Sequence, residues 1–325
     1  MIMRIQILNA MASAMIAAAA LGAPAVGAVA DGASAAPPEP LLAQSGERRK
    51  GKKRRRGSDG GGRGAVPPCT ACESMEGFIP PDRISREVRL MIGKISDRAE
   101  TEMAVAVQKV RGGTETGLSA AFIGGADCPE IDSEQWAIDY SHKRPWPAIH
   151  KGVDIPQPRG TPILAVAAGT VIGKFENEGN RKGIEVMLRH APAQTGLGFW
   201  TYSQYTHLEA MSPLAIGAAV AMGQEVGRTA NTGKMGRRVR RDALHFAILY
   251  SDSPEWTNDG RFATPKDGYW MDPNAFYRAR PPYDSRSLAA LPAADKRVAV
   301  PYMRRGGGFQ PADTKRIWPY PCAAP

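Results

Sequence analysis

The chain has 325 residues, with 42 Lys and Arg against 32 Asp and Glu, a net charge of +10 and four cysteines. Residues 47–56 alone hold eight Lys or Arg and one Glu, a local +7 that leaves +3 for everything else. That distribution excludes a nucleic-acid-binding surface spread over the whole protein and leaves one solvated basic arm.

In chain order, residues 1–30 read as an export signal. Arg4 is followed by an uncharged Ala-rich stretch that ends in Ala28-Val29-Ala30, a site suited to signal peptidase. The alternative is an uncleaved anchor, but Gln6, Asn9, Ser13 and Pro24 dilute the stretch below an ordinary membrane-spanning helix. Cleavage is therefore predicted, with no transmembrane anchor in the mature chain. The absence of a Cys directly after the signal argues against a lipid anchor. Residues 31–68, rich in Pro, Gly, Ser and Lys/Arg, carry no periodic apolar face and read as a disordered linker.

Cys69, Cys72, Cys128 and Cys322 form an even set in a chain predicted to be exported, which points to disulfides. Three pairings are open. The Cys69-x-x-Cys72 spacing also suits a redox pair or half a zinc knuckle, but no βαβ pattern surrounds it and no second such pair follows.

Residues 69–144 read as a helical and loop segment. From Ile84 to about Val110, the positions Val88, Leu90, Met91, Ile95, Met103, Val105 and Val107 fit one amphipathic helix that Gly112-Gly113 stops. Residues 145–278 read as a mainly β domain. Short β-rich runs, Ile163 to Phe175, Ile184 to Arg189, Phe199 to Leu208, Ala218 to Arg228 and Leu244 to Tyr250, follow without intervening helices and predict an antiparallel sheet. Residues 279–325, again rich in Pro and Arg, read as an extended tail that a disulfide at Cys322 would pin.

Two His and an Asp carry the chemistry. His150 and Asp154 are four residues apart in a stretch that Gly152 and Pro156 keep out of helix, and in a straight strand they would be roughly 13 Å apart. A bend is needed to bring them together, and Gly152 is the flexible point. His245 sits in the alternating run Ala243-Leu244-His245-Phe246-Ala247-Ile248, with Ala243 and His245 on one face. Two imidazoles and a carboxylate make a three-ligand zinc site with one position open, the pattern of catalytic zinc.

The order of motifs resembles the lysostaphin/LytM-type zinc metallopeptidases. It runs from His150-x-Gly152-x-Asp154 through Gly169-Thr170-Val171, Tyr205-x-His207-Leu208, the Gly217 to Gly227 strand with Val220, Gly223 and Gln224, and the Thr232-Gly233 turn to Leu244-His245-Phe246 and Asp272-Pro273. The resemblance covers about 130 residues. It implies an antiparallel sheet carrying an open groove, Zn2+ held by His150, Asp154 and His245, and hydrolysis of peptide crosslinks in peptidoglycan. His207 matches a catalytic histidine that handles a proton or the developing oxyanion. Arg240 and Arg241 are candidates to line the groove, and so is Tyr205, which would share a face with His207, although aromatic packing in the sheet is an equally economical place for it. The arm at 47–56 would hold the protein near anionic envelope polymers, with the periplasm as the expected location and secretion as the second.

One departure stands out. The family motif has a second His where this chain has Ala243, and alanine cannot reach the reacting centre. Asp242 is on the opposite face in a regular strand, although an irregular strand start could still reorient it. Losing one general acid/base typically forfeits roughly 10²- to 10⁴-fold in rate. A catalytically impaired envelope protein that binds peptidoglycan or regulates another hydrolase is thus the alternative to an endopeptidase. A closed structural zinc site is a third reading, with His207 its one candidate fourth ligand. Arg228, Lys234, Arg237, Arg238, Arg240 and Arg241 form either a solvated loop or a basic rim on the groove. His142 and His190 read as exposed or packed side chains, not as ligands.

Overall fold

The computed structural model describes residues 69–93, 101–143, 147–177, 182–234 and 241–324. The signal, the linker with its basic arm, Ile95 and Arg237, Arg238 and Arg240 lie outside the described residues.

Two helices open the described chain, α1 (Arg86–Ile92) and α2 (Thr101–Val110), and they pack against each other. The single helix expected from Ile84 to Val110 is therefore two. The Ser85 hydroxyl caps α1 by accepting the Val88 N–H at 3.2 Å, and the helix stops at Gly93, whose φ of 77° few residues other than glycine adopt.

The strands are β1 (Ser119–Phe122), β2 (Val153–Pro156), β3 (Pro162–Leu164), β4 (Gly169–Asn177), β5 (Gly183–His190), β6 (Trp200–Thr206), β7 (Ala219–Val220), β8 (Glu225–Arg228), β9 (Ala243–Ser251), β10 (Trp256–Asn258), β11 (Ala263–Pro265), β12 (Tyr269–Met271), β13 (Arg297–Val300), β14 (Tyr302–Met303) and β15 (Phe309–Gln310). Two short helices, α3 (Pro192–Thr195) and α4 (Ser285–Ala289), interrupt them. The fold is mainly β, and its main sheet is antiparallel with strand order β12-β9-β6-β5-β4-β7. Along the far edge of β9, β2 pairs with its first half and β12 with its second. The runs expected from Ile163 to Phe175 and from Ala218 to Arg228 each divide into two strands, which pair as β3 with β8 and β4 with β7.

Register decides what faces the site. Asp154, His245, Thr206 and Glu185 stand directly opposite one another across β2, β9, β6 and β5, so they share one face. The adjacent row, Val153, Phe246, Tyr205 and Val186, points the other way into the apolar core, where each is fully buried.

The C-terminal residues are not an extended tail. Ile317, Trp318 and Tyr320 are fully buried, the Ile317 N–H donates to the Val166 carbonyl, and the Leu164 N–H donates to Pro319. Parallel pairing of β13 with β1 and a Cys128–Cys322 disulfide clasp this end to the segment before the sheet. Buried aromatics made this packing favourable despite the Pro- and Arg-rich composition. The second disulfide joins Cys69 to Cys72, so the four cysteines form two bridges. Among the described residues, no helix is long and apolar enough to cross a membrane.

Candidate metal centre

The sheet brings His150, Asp154 and His245 to one point. Asp154 comes from β2 and His245 from β9, where the two are directly paired, while His150 enters from the turn before β2. His150 Nε2 is 3.0 Å from His245 Nδ1 and 3.3 Å from Asp154 Oδ1, and His245 Nδ1 is 2.9 Å from the same carboxylate oxygen. One donor atom from each lies within 4.8 Å of the others, an arrangement able to hold a metal ion.

Gly152 serves this geometry differently from what its sequence position suggests. Its φ is not in the left-handed region, and the requirement is space. A Cβ there would lie 2.6 Å from Cε1 and Nε2 of His245 and 2.7 Å from the Phe246 carbonyl. The backbone of β2 approaches the His245 ring so closely that only hydrogen fits.

Further contacts orient the donors. His150 Nδ1 donates to the Gln135 carbonyl at 2.9 Å, which assigns the proton to Nδ1 and turns the Nε2 lone pair towards His245 and Asp154. The Tyr140 ring stacks on His150 with centroids 5.0 Å apart, and the Tyr140 hydroxyl donates to Glu134. The Asp154 N–H donates to the Glu134 carbonyl at 3.0 Å. Burial opposes ionisation of Asp154, but hydrogen bonds and charge from His150 and His245 overcome it and hold the carboxyl well below its usual range. An ionised carboxylate is what a cation site requires.

His207 follows β6 with a φ of 69°, an uncommon conformation for a residue with a side chain. Its ring centroid is 6.0 Å from that of His245, and its Nδ1 donates to the Thr232 carbonyl at 3.0 Å. The Thr232-Gly233 turn thus positions His207, and the Thr232 hydroxyl donates to the Leu208 carbonyl at 2.8 Å. The positive φ also breaks strand alternation, so Tyr205 does not share the face of His207. Tyr205 is instead fully buried in the core, packs on Phe246 and accepts the Val166 N–H, so it does not line a groove.

Ala243 lies at the start of β9, on the face of His245 and almost fully buried. Asp242 is no replacement, because its carboxylate is engaged by Arg159 at 2.9 Å. The basic segment is partly neutralised by acids from elsewhere, with Arg241 paired to Asp132 and Arg228 to Glu225. His190 is buried, donating from Nδ1 to the Ala168 carbonyl and bonding Ser203 through Nε2, and His142 is exposed. The sequence reading missed the segment holding Glu134, Gln135 and Tyr140, whose contributions are a backbone carbonyl and a stacked ring in irregular chain. Neither leaves a motif.

Residues 148–256 match the family model described as Peptidase family M23. Over that stretch, about a third of the chain, it is similar to the lysostaphin/LytM-type peptidases. The "Uncharacterized lipoprotein YgeR" of Escherichia coli (strain K12) is 26% identical over 181 residues, covering 54% of this chain and 66% of that protein, just under two thirds. Among solved structures, LytU is 24% identical, with 45% of this chain and 83% of that chain covered at a TM-score of 0.32. The catalytic domain of the antimicrobial peptidase lysostaphin from Staphylococcus simulans is 25% identical, with 33% and 73% covered at a TM-score of 0.26.

Proposed function

We propose that the protein is an exported zinc-dependent endopeptidase that hydrolyses peptide crosslinks of bacterial peptidoglycan, with the periplasm as its place of action. The observation carrying this reading is the convergence of His150, Asp154 and His245 donor atoms inside a match to Peptidase family M23. The donor set fits zinc. Two imidazole nitrogens and one buried carboxylate oxygen crowd together, and the Gln135 carbonyl commits the other nitrogen of His150. Bound there, zinc would supply Lewis-acid polarisation of a scissile carbonyl.

The chain's own residues supply the rest. His207, held by Thr232, is the group within reach to take or give a proton or to hydrogen-bond the developing oxyanion. Tyr140 and Gln135 keep His150 in the tautomer that presents Nε2. The shielded setting of His150 and Asp154 strengthens each of these polar contacts.

Ala243 favours a second reading, a metal-binding envelope protein that recognises peptidoglycan or regulates another hydrolase without turnover. The test is release of soluble muropeptides from purified sacculi by the mature protein and by His245→Ala. Zinc-dependent release that His245→Ala abolishes supports the endopeptidase. Saturable binding to sacculi with no release at any zinc concentration supports the second reading and rejects the first.

A further inference from the structure

Val153, which points to the other face of β2 from Asp154, lines a cleft of about 260 Å³ on the side away from the metal centre. One wall of this cleft is β1 with the residue before it, through Leu118, Ser119, Ala120 and Phe122.

That strand has a free edge. It pairs in parallel with β13 alone, and the Ser119 N–H donates to the Lys296 carbonyl at 3.0 Å. In a parallel ladder, a residue that turns its N–H to the neighbouring strand turns its C=O there too, and the residues on either side turn theirs away. Leu118, Ala120 and Phe122 therefore direct their backbone groups outward, and all of them line the cleft. The Leu118 N–H is taken by the Thr116 hydroxyl at 3.1 Å. The Leu118 carbonyl, the Ala120 N–H and carbonyl and the Phe122 N–H have no hydrogen-bond partner among the described residues. Ser119 is exposed and Ala120 and Phe122 are partly so, with nothing larger than Ser at 119–121 to screen the main chain.

Exposed strand edges are ordinarily blunted by Lys, Pro, a bulge or a covering segment. The run Ser119-Ala120-Ala121-Phe122 has no charge and no Pro, and its register with β13 is unbroken. Both ends are open. Gly117, Gly124 and Gly125 are exposed, and a Cβ on Gly125 would meet nothing within 4 Å, so a chain laid along this edge can run past it. Across the cleft, Ile131, Ile138 and Trp136 offer apolar surface. Glu115 and Glu130 are exposed in the lining, and no Lys, Arg or His is among it, in a protein of net charge +10. Lys296 passes near Gly117, but its ammonium donates to the Ala289 carbonyl at 2.9 Å.

We propose that β1 is a docking edge for an extended, positively charged peptide segment of a partner protein, which adds to it as a further strand in this cleft. The outward main-chain groups of Leu118, Ala120 and Phe122 supply the ladder, and main-chain pairing of this kind gives affinity with little demand on the partner's sequence. Alternate side chains of the added strand meet Ile131, Ile138 and Trp136. Lys or Arg at its ends meets Glu115 and Glu130, and this sets the sign of charge that the cleft accepts.

The proposal is independent of the metal centre and is read by backbone amide hydrogen exchange in the full mature chain. The probes are the capped peptides KVTVK, EVTVE and KPPPK, the last keeping the charge but offering no amide N–H between its lysines. Saturating KVTVK is expected to slow exchange of the Ala120 and Phe122 amides by about tenfold or more and to leave the Ser119 amide, already bonded to Lys296, unchanged. KPPPK has no effect, and EVTVE binds more weakly. Glu115→Gln combined with Glu130→Gln weakens KVTVK roughly threefold to tenfold. Ala120→Pro removes only an outward N–H, which an edge strand tolerates, and abolishes protection of Phe122 while the Ser119 amide stays protected. Ala120 and Phe122 amides that are already as protected as Ser119 without peptide overturn the proposal, as does equal protection by KPPPK or EVTVE, or none by KVTVK. Protection that rises with protein concentration alone assigns the edge to a second copy of this chain and overturns it too.

Discussion

His150 Nδ1 donates to the Gln135 carbonyl at 2.9 Å, while the Tyr140 ring stacks on the same imidazole. Both contacts come from chain preceding the residues 148–256 that match the family model, so a segment outside the match sets the tautomer and angle of a proposed ligand. Tyr140→Ala keeps all three donors and the Gln135 bond but removes the ring stacked on His150. Zinc affinity, measured by competition with a chelator, is expected to fall roughly 10- to 100-fold, with the fold retained by circular dichroism.

Ala243 is two residues from His245 on one face of β9, so a histidine there would point towards the same centre. Ala243→His is expected to raise muropeptide release by roughly 10²- to 10⁴-fold. The reverse holds for His207→Asn, which tolerates the positive φ but removes the imidazole. It should retain zinc and lose rate by a similar factor, as endpoint assays of released muropeptides would show.

Burial pushes the His190 imidazole down to about 4 from 6.5, with the Ala168 carbonyl opposing only in part. The unfolded chain therefore binds the extra proton first. The stability contributed by neutral His190 is complete above pH 6.5 and is lost as pH falls towards 4, to the extent of about 3 kcal/mol. Asp272 has the opposite sign, since burial raises its carboxyl to about 6 and the folded chain protonates first. Comparing the native chain with His190→Asn cancels Asp272, which both contain. Denaturant titrations should show the native chain losing stability relative to this variant across that window.

The Cys128–Cys322 bridge closes a loop with a sequence separation of 194, whereas Cys69–Cys72 closes one of 3. Loop-closure entropy then assigns about 5 kcal/mol to the long bridge and far less to the short one. Cys128→Ser with Cys322→Ser should lower the melting temperature much more than Cys69→Ser with Cys72→Ser, as read by scanning calorimetry without reductant.

Much of the candidate site was legible because metal ligation imposes residue types and spacings that survive in sequence. His150, Asp154 and His245 could be picked out, as could the gap at Ala243, since strand alternation fixes which side chains share a face. Sequence left Tyr205 between the groove and the packed sheet, and the structure chooses the packed sheet because strand alternation ends at His207, whose backbone conformation carries no sequence signal. The β5, β6 and β9 runs were visible as short β-rich stretches without intervening helices. The C-terminal packing was hidden, because Trp318 and Tyr320 sit among Pro and Arg residues with no period, and only tertiary contact reveals their burial. Gln135 was hidden more deeply, since it acts through a carbonyl that every residue has.

The most direct test of the account is the metal content of the purified mature protein, measured by mass spectrometry for the native chain and for His150→Ala, Asp154→Ala and His245→Ala. The account predicts about one zinc per native chain and loss of it in each variant, with the fold kept by the disulfides and the buried aromatic core. Zinc retained undiminished in all three folded variants, or no zinc bound by the native chain in excess metal, would contradict it.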